Sequence, residues 1–478
     1  MAWDREADVV VVGLGAAGAT AALLAYDAGS RVLVLEKTAM EGGNTAASAG
    51  TILCPENSQE AVEHILTLSH GSVGREMVET YVREASRNVE WLRSLGAEVE
   101  LRGGASFPQI PGASTMKTYR VTGPGTGGEE LWRFLRRTVE GRGIEVLTST
   151  RVKEILQDEE GEVLGVAAEA NHRGLRIRAR RGVVLTCGGF EYDEELKRTF
   201  LPGPTFYSFG CPANTGDGVR MAQKAGAALW HMQAVAAPLG HKFPEFEAAF
   251  GANLARQSLS EPFSYAFIYV DKHGRRFMNE LGVDNHLVWS DVVFFDAKHL
   301  EHPRVPCYII FDETARRKGA VGRSQVGYNR TAYAWSPDNS VEIAKGWIAV
   351  GATVAELAQN IGADPENLSH SITEHNRGYE LHSDMDGRPP RTLLPLNHPP
   401  FYAIRTFPCL LNTQGGPVRD SRALVLDPFG APIRRLYSAG ELGSLWGFLY
   451  QSAGNLGECL AFGRIAGRNA AAETPSEA

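Results

Sequence analysis

At 478 residues the chain is longer than one ordinary core accommodates, so two domains are expected. A hydrophobic share of 43% with 22% charged residues describes a soluble globular protein, and a net charge of -8 argues against a nucleic-acid surface. No apolar run reaches the ~20 residues of a membrane span, and the opening MAWDREADVV has no signal-peptide pattern. The six cysteines (Cys54, Cys187, Cys211, Cys307, Cys409, Cys459) form no C-x-x-C pair, so neither a zinc site nor a disulfide framework is implied and a cytoplasmic setting is expected.

Val9 to Val12 form an unbroken β-branched run, the mark of a strand buried on both faces. It runs into Gly13-Leu14-Gly15-Ala16-Ala17-Gly18, a G-x-G-x-x-G loop. An alanine-rich helix follows from Ala19 to Ala28, stopped by Gly29, and then a second strand, Val32 to Leu35, ends in Glu36 and Lys37. Gly13 permits the sharp turn, Gly15 lets the backbone approach a pyrophosphate, and Gly18 lets helix and strand pack closely. The helix N-terminus offers N–H groups and a positive dipole to phosphates, and Ala16 and Ala17 of the loop are expected cofactor contacts. Glu36 stands at the separation that suits a ribose 2′-OH. Strand, loop, helix, strand and acid in this order point to a bound dinucleotide; the alternative is a tight turn that binds nothing.

Gly42-Gly43-Asn44-Thr45-Ala46-Ala47-Ser48-Ala49-Gly50 is dense in small residues, as if the backbone were pressed against a large flat ligand. Here the chain resembles the flavoprotein superfamily of fumarate reductase, succinate dehydrogenase and the 3-ketosteroid dehydrogenases, in which GGNT-x-x-A-x-G lies beside the flavin. The resemblance implies FAD, contacted through Gly43, Asn44, Thr45, Ser48 and Gly50. The succinate dehydrogenase branch attaches FAD through a His where Asn44 stands, so non-covalent FAD is expected here. It also implies the fold class: α/β, with a Rossmann-like FAD-binding domain in two parts, 1–242 and 400–478. An α+β capping (catalytic) domain, 243–399, is inserted between them and is expected to cover the isoalloxazine.

Residues 59–98 read as amphipathic helices. Gly123 to Gly128 opens a further helix, Glu129 to Arg142, but no Lys-Ser/Thr follows, so this is a poor phosphate loop. The resemblance places the backbone of the next strand, ending at Val152, against the adenine. A hairpin-like region, 152–181, carries the alternation Leu175, Ile177, Ala179 of exposed strands. The buried run from Val183 then ends in Cys187-Gly188-Gly189, similar to the turn that closes over the cofactor in the superfamily. Asn214-Thr215-Gly216-Asp217-Gly218 precedes a helix, Val219 to Ala225, with Asp217 and Gly218 as turn and cap residues. Between 243 and 399 aromatics, prolines and histidines become common. Tyr269 to Glu280 reads as a hairpin turning at His273-Gly274, and 364–382 as a helix with Asp364 as N-cap. The tail AAAETPSEA reads as frayed.

Strands are expected near 424–426 and 433–437, and Tyr450 to Leu456 opens a final helix running to about Ala472. In the superfamily YSAGE is the second flavin signature: Gly440 and Glu441 would hold the ribityl chain. The N–H groups of Asn455 and Leu456 would face the pyrimidine end of the ring. Fumarate reductases carry His within the segment 412–416, Arg where this chain has Gln451, and a proton-donating Arg where spacing puts Asp284. Two buried carboxylates without cationic partners are prohibitive, so a C4-dicarboxylate substrate is not expected. Tyr450-x-x-x-Gly454 is similar to the Δ1-dehydrogenases, whose Tyr hydroxyl and Gly N–H bind the substrate ketone. Tyr450 with Ser452 matches the Tyr-x-Ser of the Δ4-(5α)-dehydrogenases, whose Ser relays the α-proton. The alternative for Tyr450 is a ring packed over the flavin. Both steroid classes have a catalytic Tyr after Asn279-Glu280; this chain does not, which leaves Asp284, His286, Tyr119, Tyr328 and Tyr333 as candidates, or Asp284 and His286 as plain loop residues.

The reading is an FAD-dependent oxidoreductase that removes an α-proton and passes a β-hydride to flavin N5, acting on a small hydrophobic ketone or enone with an external electron acceptor or donor. Alternatives are an enone or enoate reductase on a non-dicarboxylate substrate, and a flavin electron-transfer protein.

Overall fold

The valine run becomes the centre of a parallel sheet. In the computed structural model, which describes residues 2–39, 41–251, 266–282, 284–322 and 326–476, β1 (Arg5–Val12) lies between β2 (Val32–Leu35) and the strand Arg173–Leu185, parallel to both. Val9, Val10 and Val11 have no exposed surface, as a strand covered on both faces requires. The connecting helix, α1 (Ala16–Asp27), packs against the final helix, Gly454–Ala472. Glycine makes that approach possible: a Cβ on Gly463 would lie 2.8 Å from the Ala17 carbonyl oxygen.

Among the described residues the sheet has eight strands. Leu424–Leu426 and Pro432–Ser438 extend it past Arg173–Leu185, and Glu145–Leu147 extends it past β2. Thr150–Gln157 and Val163–Ala170 add an antiparallel meander. The expected hairpin-like region, 152–181, is this antiparallel set, and its last arm continues into the buried run from Val183 as one 13-residue strand. Ile177 and Ala179 have no exposed surface, so their alternation marks a core face and not exposed strands. The tail is held as far as Ser476, whose N–H donates to Arg180 O at 2.6 Å, while the Arg181 guanidinium donates to Ala471 O at 2.8 Å.

The chain divides into two compact units. Met1–Leu201, Gly210–Ala236 and Asn412–Ala478 form the first; Pro202–Phe209 and Ala237–Leu411 form the second. These limits move the expected crossings at 242/243 and 399/400, because main-chain pairing decides them. Leu239–His241 and Phe401–Leu410 belong to the second unit's sheet, seven-stranded among the described residues. Phe401–Leu410 runs through its middle, antiparallel to Cys307–Asp312 and to Ile348–Gly351. In the same unit Asp364 caps the helix Pro365–Leu381, accepting the N–H groups of Glu366 and Asn367 at 2.9 Å each. The Asn279-Glu280 motif is structural at its acid: Glu280 is paired with Arg276 at 2.7 Å and Arg388 at 3.1 Å inside the core. Among the described residues no helix is long and apolar enough to cross a membrane.

Candidate active site

The first loop is shaped from within at two of its glycines and from without at the third. Gly13 has φ +99°, and a Cβ there would lie 2.6 Å from Thr186 O; a Cβ on Gly18 would lie 2.7 Å from Thr186 Oγ1. Gly15 is different. Its φ is -96°, and a Cβ would find nothing nearer than Thr45 Oγ1 at 3.4 Å. No packing reason calls for glycine at 15, and the space beside it opens into a cleft of about 830 Å³, mouth included.

Stretches far apart in sequence build this cleft, all in the first unit. Gly13, Gly15, Ala16 and Ala17 line it from the first loop, where Ala16 N–H is already donated to Thr45 Oγ1 at 3.0 Å. Glu36 accepts Leu14 N–H at 3.0 Å and Thr38 N–H at 2.9 Å, which fixes its carboxylate at the end of β2. Lys37 and Arg151 both hold Asp217, at 3.1 and 2.6 Å. Burial raises the Asp217 carboxyl, but the Arg151 hydrogen bond and the Lys37 charge outweigh it and leave its pKa lowered. Asp217 thus spends its carboxylate on two cations at the head of the helix Asp217–Lys224. Gly43, Asn44, Thr45, Val152, Cys187, Gly188, Asn214 and Glu441 complete the expected lining.

Several expected residues shape the cleft without lining it. Ser48 Oγ donates to Thr45 O at 2.8 Å and accepts Gly50 N–H at 3.0 Å, closing the turn; Gly50, at φ +69°, lies against the Gly127-Gly128 backbone. Gly189 makes room for the Glu441 and Glu191 carboxyls, and Gly440, at φ +80°, lets Ala17 approach. Asn44 is a bridge: its Oδ1 accepts Cys211 N–H at 2.7 Å and its Nδ2 donates to Glu441 at 3.2 Å.

The second helix terminus is more crowded. Tyr450 is 5% exposed, its ring edge-on to Trp446 at 6.0 Å, and Asn455 N–H donates to its hydroxyl at 3.4 Å. Gly454 N–H donates to Gln451 O at 2.8 Å, closing a turn. A Cβ on Gly454 would overlap the Trp446 indole. Ala453, the N-cap, has φ +71°, a left-handed conformation costing roughly 1–2 kcal/mol outside glycine. Ser452 donates its N–H to Ser106 Oγ at 3.2 Å. Asn455 Nδ2 donates to Gln414 Oε1 at 2.9 Å, and Asn412 Nδ2 donates to Asn455 Oδ1 at 3.0 Å, so three amides meet at this terminus. Leu456 is partly buried in the first turn. Beneath them Glu458 accepts Ser444 Oγ–H at 2.6 Å and Leu445 N–H at 2.9 Å and pairs with Arg419, fastening the preceding loop to the helix.

The profile of the FAD binding domain family matches residues 8–456. The chain belongs to that flavoprotein family. It is similar to the fumarate reductase (cytochrome) of Shewanella frigidimarina, 26% identical over 477 residues covering 97% of this chain and 77% of the relative. It is also similar to the 3-oxosteroid 1-dehydrogenase of Mycobacterium tuberculosis, 28% identical over 577 residues, 97% of this chain and 98% of the relative. The crystal structure of 3-ketosteroid delta1-dehydrogenase from Sterolibacterium denitrificans shares its fold: TM-score 0.83 at 24% identity, covering 98% of this chain and 100% of that one. The protein is an FAD-dependent oxidoreductase of the fumarate reductase/3-ketosteroid dehydrogenase family, whose members act on CH–CH bonds.

The donor set of the flavoprotein fits FAD. The open space at Gly15 lies at the N-terminus of α1, where a pyrophosphate is stabilised, and Glu36 sits at the end of β2 where a ribose is read. Sequence reasoning missed Thr186, Arg151, Cys211, Cys459 and Glu191. The first two lie beside expected positions; Glu191 follows Gly188-Gly189-Phe190 and carries no periodic signal at all. Burial pushes the Cys187 and Cys459 thiols up to about 12, so they are neutral walls of the cleft and not nucleophiles.

Asp284 and His286 belong to the second unit, where they meet: His286 Nδ1 is 2.7 Å from Asp284 Oδ1, which also accepts His286 N–H at 3.0 Å. The carboxylate orients the imidazole through Nδ1. Tyr333 donates to Glu342 at 2.7 Å, and burial with that bond pushes its phenol up to about 12. Tyr328 is 44% exposed, and Tyr119 lies on the strand Met116–Val121 of the first unit.

Proposed function

We propose that the flavoprotein acts on a carbon–carbon bond next to the ketone of a small hydrophobic molecule. The observation that carries this reading is the Tyr450 hydroxyl, held at the N-terminus of the final helix among the amides of Asn412, Gln414 and Asn455. A dicarboxylate would face neutral amides there, whereas a ketone needs only a donor. Tyr450 donates to the carbonyl oxygen, and the helix N-terminus favours the negative charge that grows on it. Gly454, with its N–H closing the turn on Gln451, supports Tyr450 by admitting Trp446. Ser452 is the candidate relay for the proton that leaves the α-carbon. FAD supplies the acceptor for the β-hydride, and an external acceptor takes the electrons onward.

Tyr450→Phe tests this. FAD content stays at the wild-type level while turnover falls by roughly 10²–10³, the cost of one oxyanion donor. The loss falls on kcat, because the bond strengthens as charge develops. A panel of 3-ketosteroids and simple enones, added anaerobically in both directions, identifies the substrate by bleaching or recolouring the flavin. Wild-type turnover by Tyr450→Phe removes the ketone site; a panel that leaves the flavin spectrum unchanged favours an electron-transfer protein.

A further inference from the structure

Glu441, which lines the cofactor cleft, has a second acid, Glu191, buried beside it. Glu191 has no exposed surface and Glu441 is 9% exposed. A Cβ on Gly189 would lie 2.6 Å from Glu441 Oε1 and 2.8 Å from Glu191 Oε1, so glycine at 189 is what lets the two carboxyls approach. Their other partners are neutral. Glu191 Oε1 accepts Thr413 N–H at 3.0 Å, and Glu441 accepts the Asn44 amide at 3.2 Å. Glu191 Oε2 is buried without a hydrogen-bond partner. Among the described residues neither acid has a Lys, Arg or His counter-ion.

Two carboxylates this close in a water-excluded wall cannot both ionise. We propose that Glu191 and Glu441 share one proton at neutral pH, and that Glu191 is a positioning residue that keeps the proton on the pair. The wall then carries one negative charge instead of two beside a cofactor that is itself polyanionic, and Glu441 offers an O–H donor towards the hydroxyl groups of FAD. Burial, then the charge and hydrogen bond of Glu191, push the Glu441 carboxyl well above the usual range, against the opposing bonds from Asn44 and Thr413. The other titratable groups facing the pair do not supply a counter-charge. The Cys459 and Cys211 thiols are raised by burial and stay neutral; Glu36 and Lys37, which act on Cys211 from β2, oppose each other in sign.

Infrared spectroscopy of the holoenzyme reads the proton directly, without substrate, and so stands apart from the ketone reading. The wild type shows a protonated-carboxyl C=O band that shifts in D2O. Glu191→Gln and Glu441→Gln each lose it, because the remaining acid, freed of its like-charged neighbour, ionises. A band surviving in Glu191→Gln overturns the pair, since burial alone would then hold the proton on Glu441. The temperature of flavin release, followed by flavin fluorescence from pH 5 to pH 9, is the second reading. A raised folded-state pKa contributes stability that is fully present below the unfolded carboxyl's pKa and is lost as pH rises. The wild type therefore weakens with pH more steeply than either variant, approaching about tenfold in the folding constant per pH unit for one proton. If Glu191→Gln holds no flavin, the wild-type profile still decides: a flat one overturns the proposal.

Discussion

At the N-terminus of α1 a Cβ on Gly15 would find nothing nearer than Thr45 Oγ1, at 3.4 Å; at the N-terminus of the final helix a Cβ on Gly454 would run into the Trp446 indole. Both glycines open a helix that the sequence assigns to the cofactor, and in the string they read alike. The first leaves space that the protein does not use, which is how a ligand announces itself. The second is filled by the protein's own core: Trp446 is 2% exposed and stands edge-on to both Tyr450 and Tyr81. A glycine is thus a ligand signal only where nothing of the protein occupies the place of its missing side chain. Damage at Gly454 should fall on stability, and damage at Gly15 on cofactor binding alone.

The largest effect is expected beneath the final helix. Glu458 and Arg419 are both fully buried, and Glu458 also accepts Ser444 and Leu445. Glu458→Ala leaves the Arg419 charge buried without its partner, which costs about 3–5 kcal/mol. Denaturant unfolding should show the loss; a change below about 1 kcal/mol would mean that the loop is held to the helix by something else.

Gly454→Ala comes next. A methyl group against a rigid, buried indole costs about 1–3 kcal/mol, and Trp446 fluorescence should change with it. A smaller side chain at 446 should relieve the strain, so Trp446→Leu is expected to couple to Gly454→Ala by at least about 0.5 kcal/mol in a double-mutant cycle. Additive losses would separate the two residues and weaken the comparison.

These contrasts also show what the string could tell. The stretch from Val9 to Lys37 was legible because strand period, glycine spacing and the terminal acid are local, and β1, α1 and β2 follow them with α1 starting three residues early at Ala16. The cap of Pro365–Leu381 was legible for the same reason. Phe401–Leu410 read as a return to the cofactor domain because a strand's pattern does not say which sheet receives it; its pairing with Cys307–Asp312 is a long-range fact. Glu191 and the Asp284–His286 contact were out of reach likewise: the first depends on Glu441 from the far end of the chain, and the second on a turn that brings i and i+2 together. The motif names the Gly454 N–H as a ketone donor, while the folded turn gives that N–H to Gln451 O.

The smallest stability effect, and the sharpest test, belongs to Gly15. Its φ of -96° and ψ of -164° suit any L-residue, and the nearest atom to a new Cβ is 3.4 Å away. Gly15→Ala should therefore leave the flavin-free protein unchanged or stabilise it by about 0.4–1 kcal/mol, since the unfolded chain loses freedom and the folded one gains no clash. The same methyl stands where the backbone must meet a pyrophosphate. FAD should be lost from Gly15→Val outright and bound more weakly by Gly15→Ala, with denaturant midpoints measured without flavin staying level. If Gly15→Ala instead unfolded easily, the loop would be packed like the final-helix terminus. If both variants purified with full flavin, the space beside Gly15 would not be where the pyrophosphate binds.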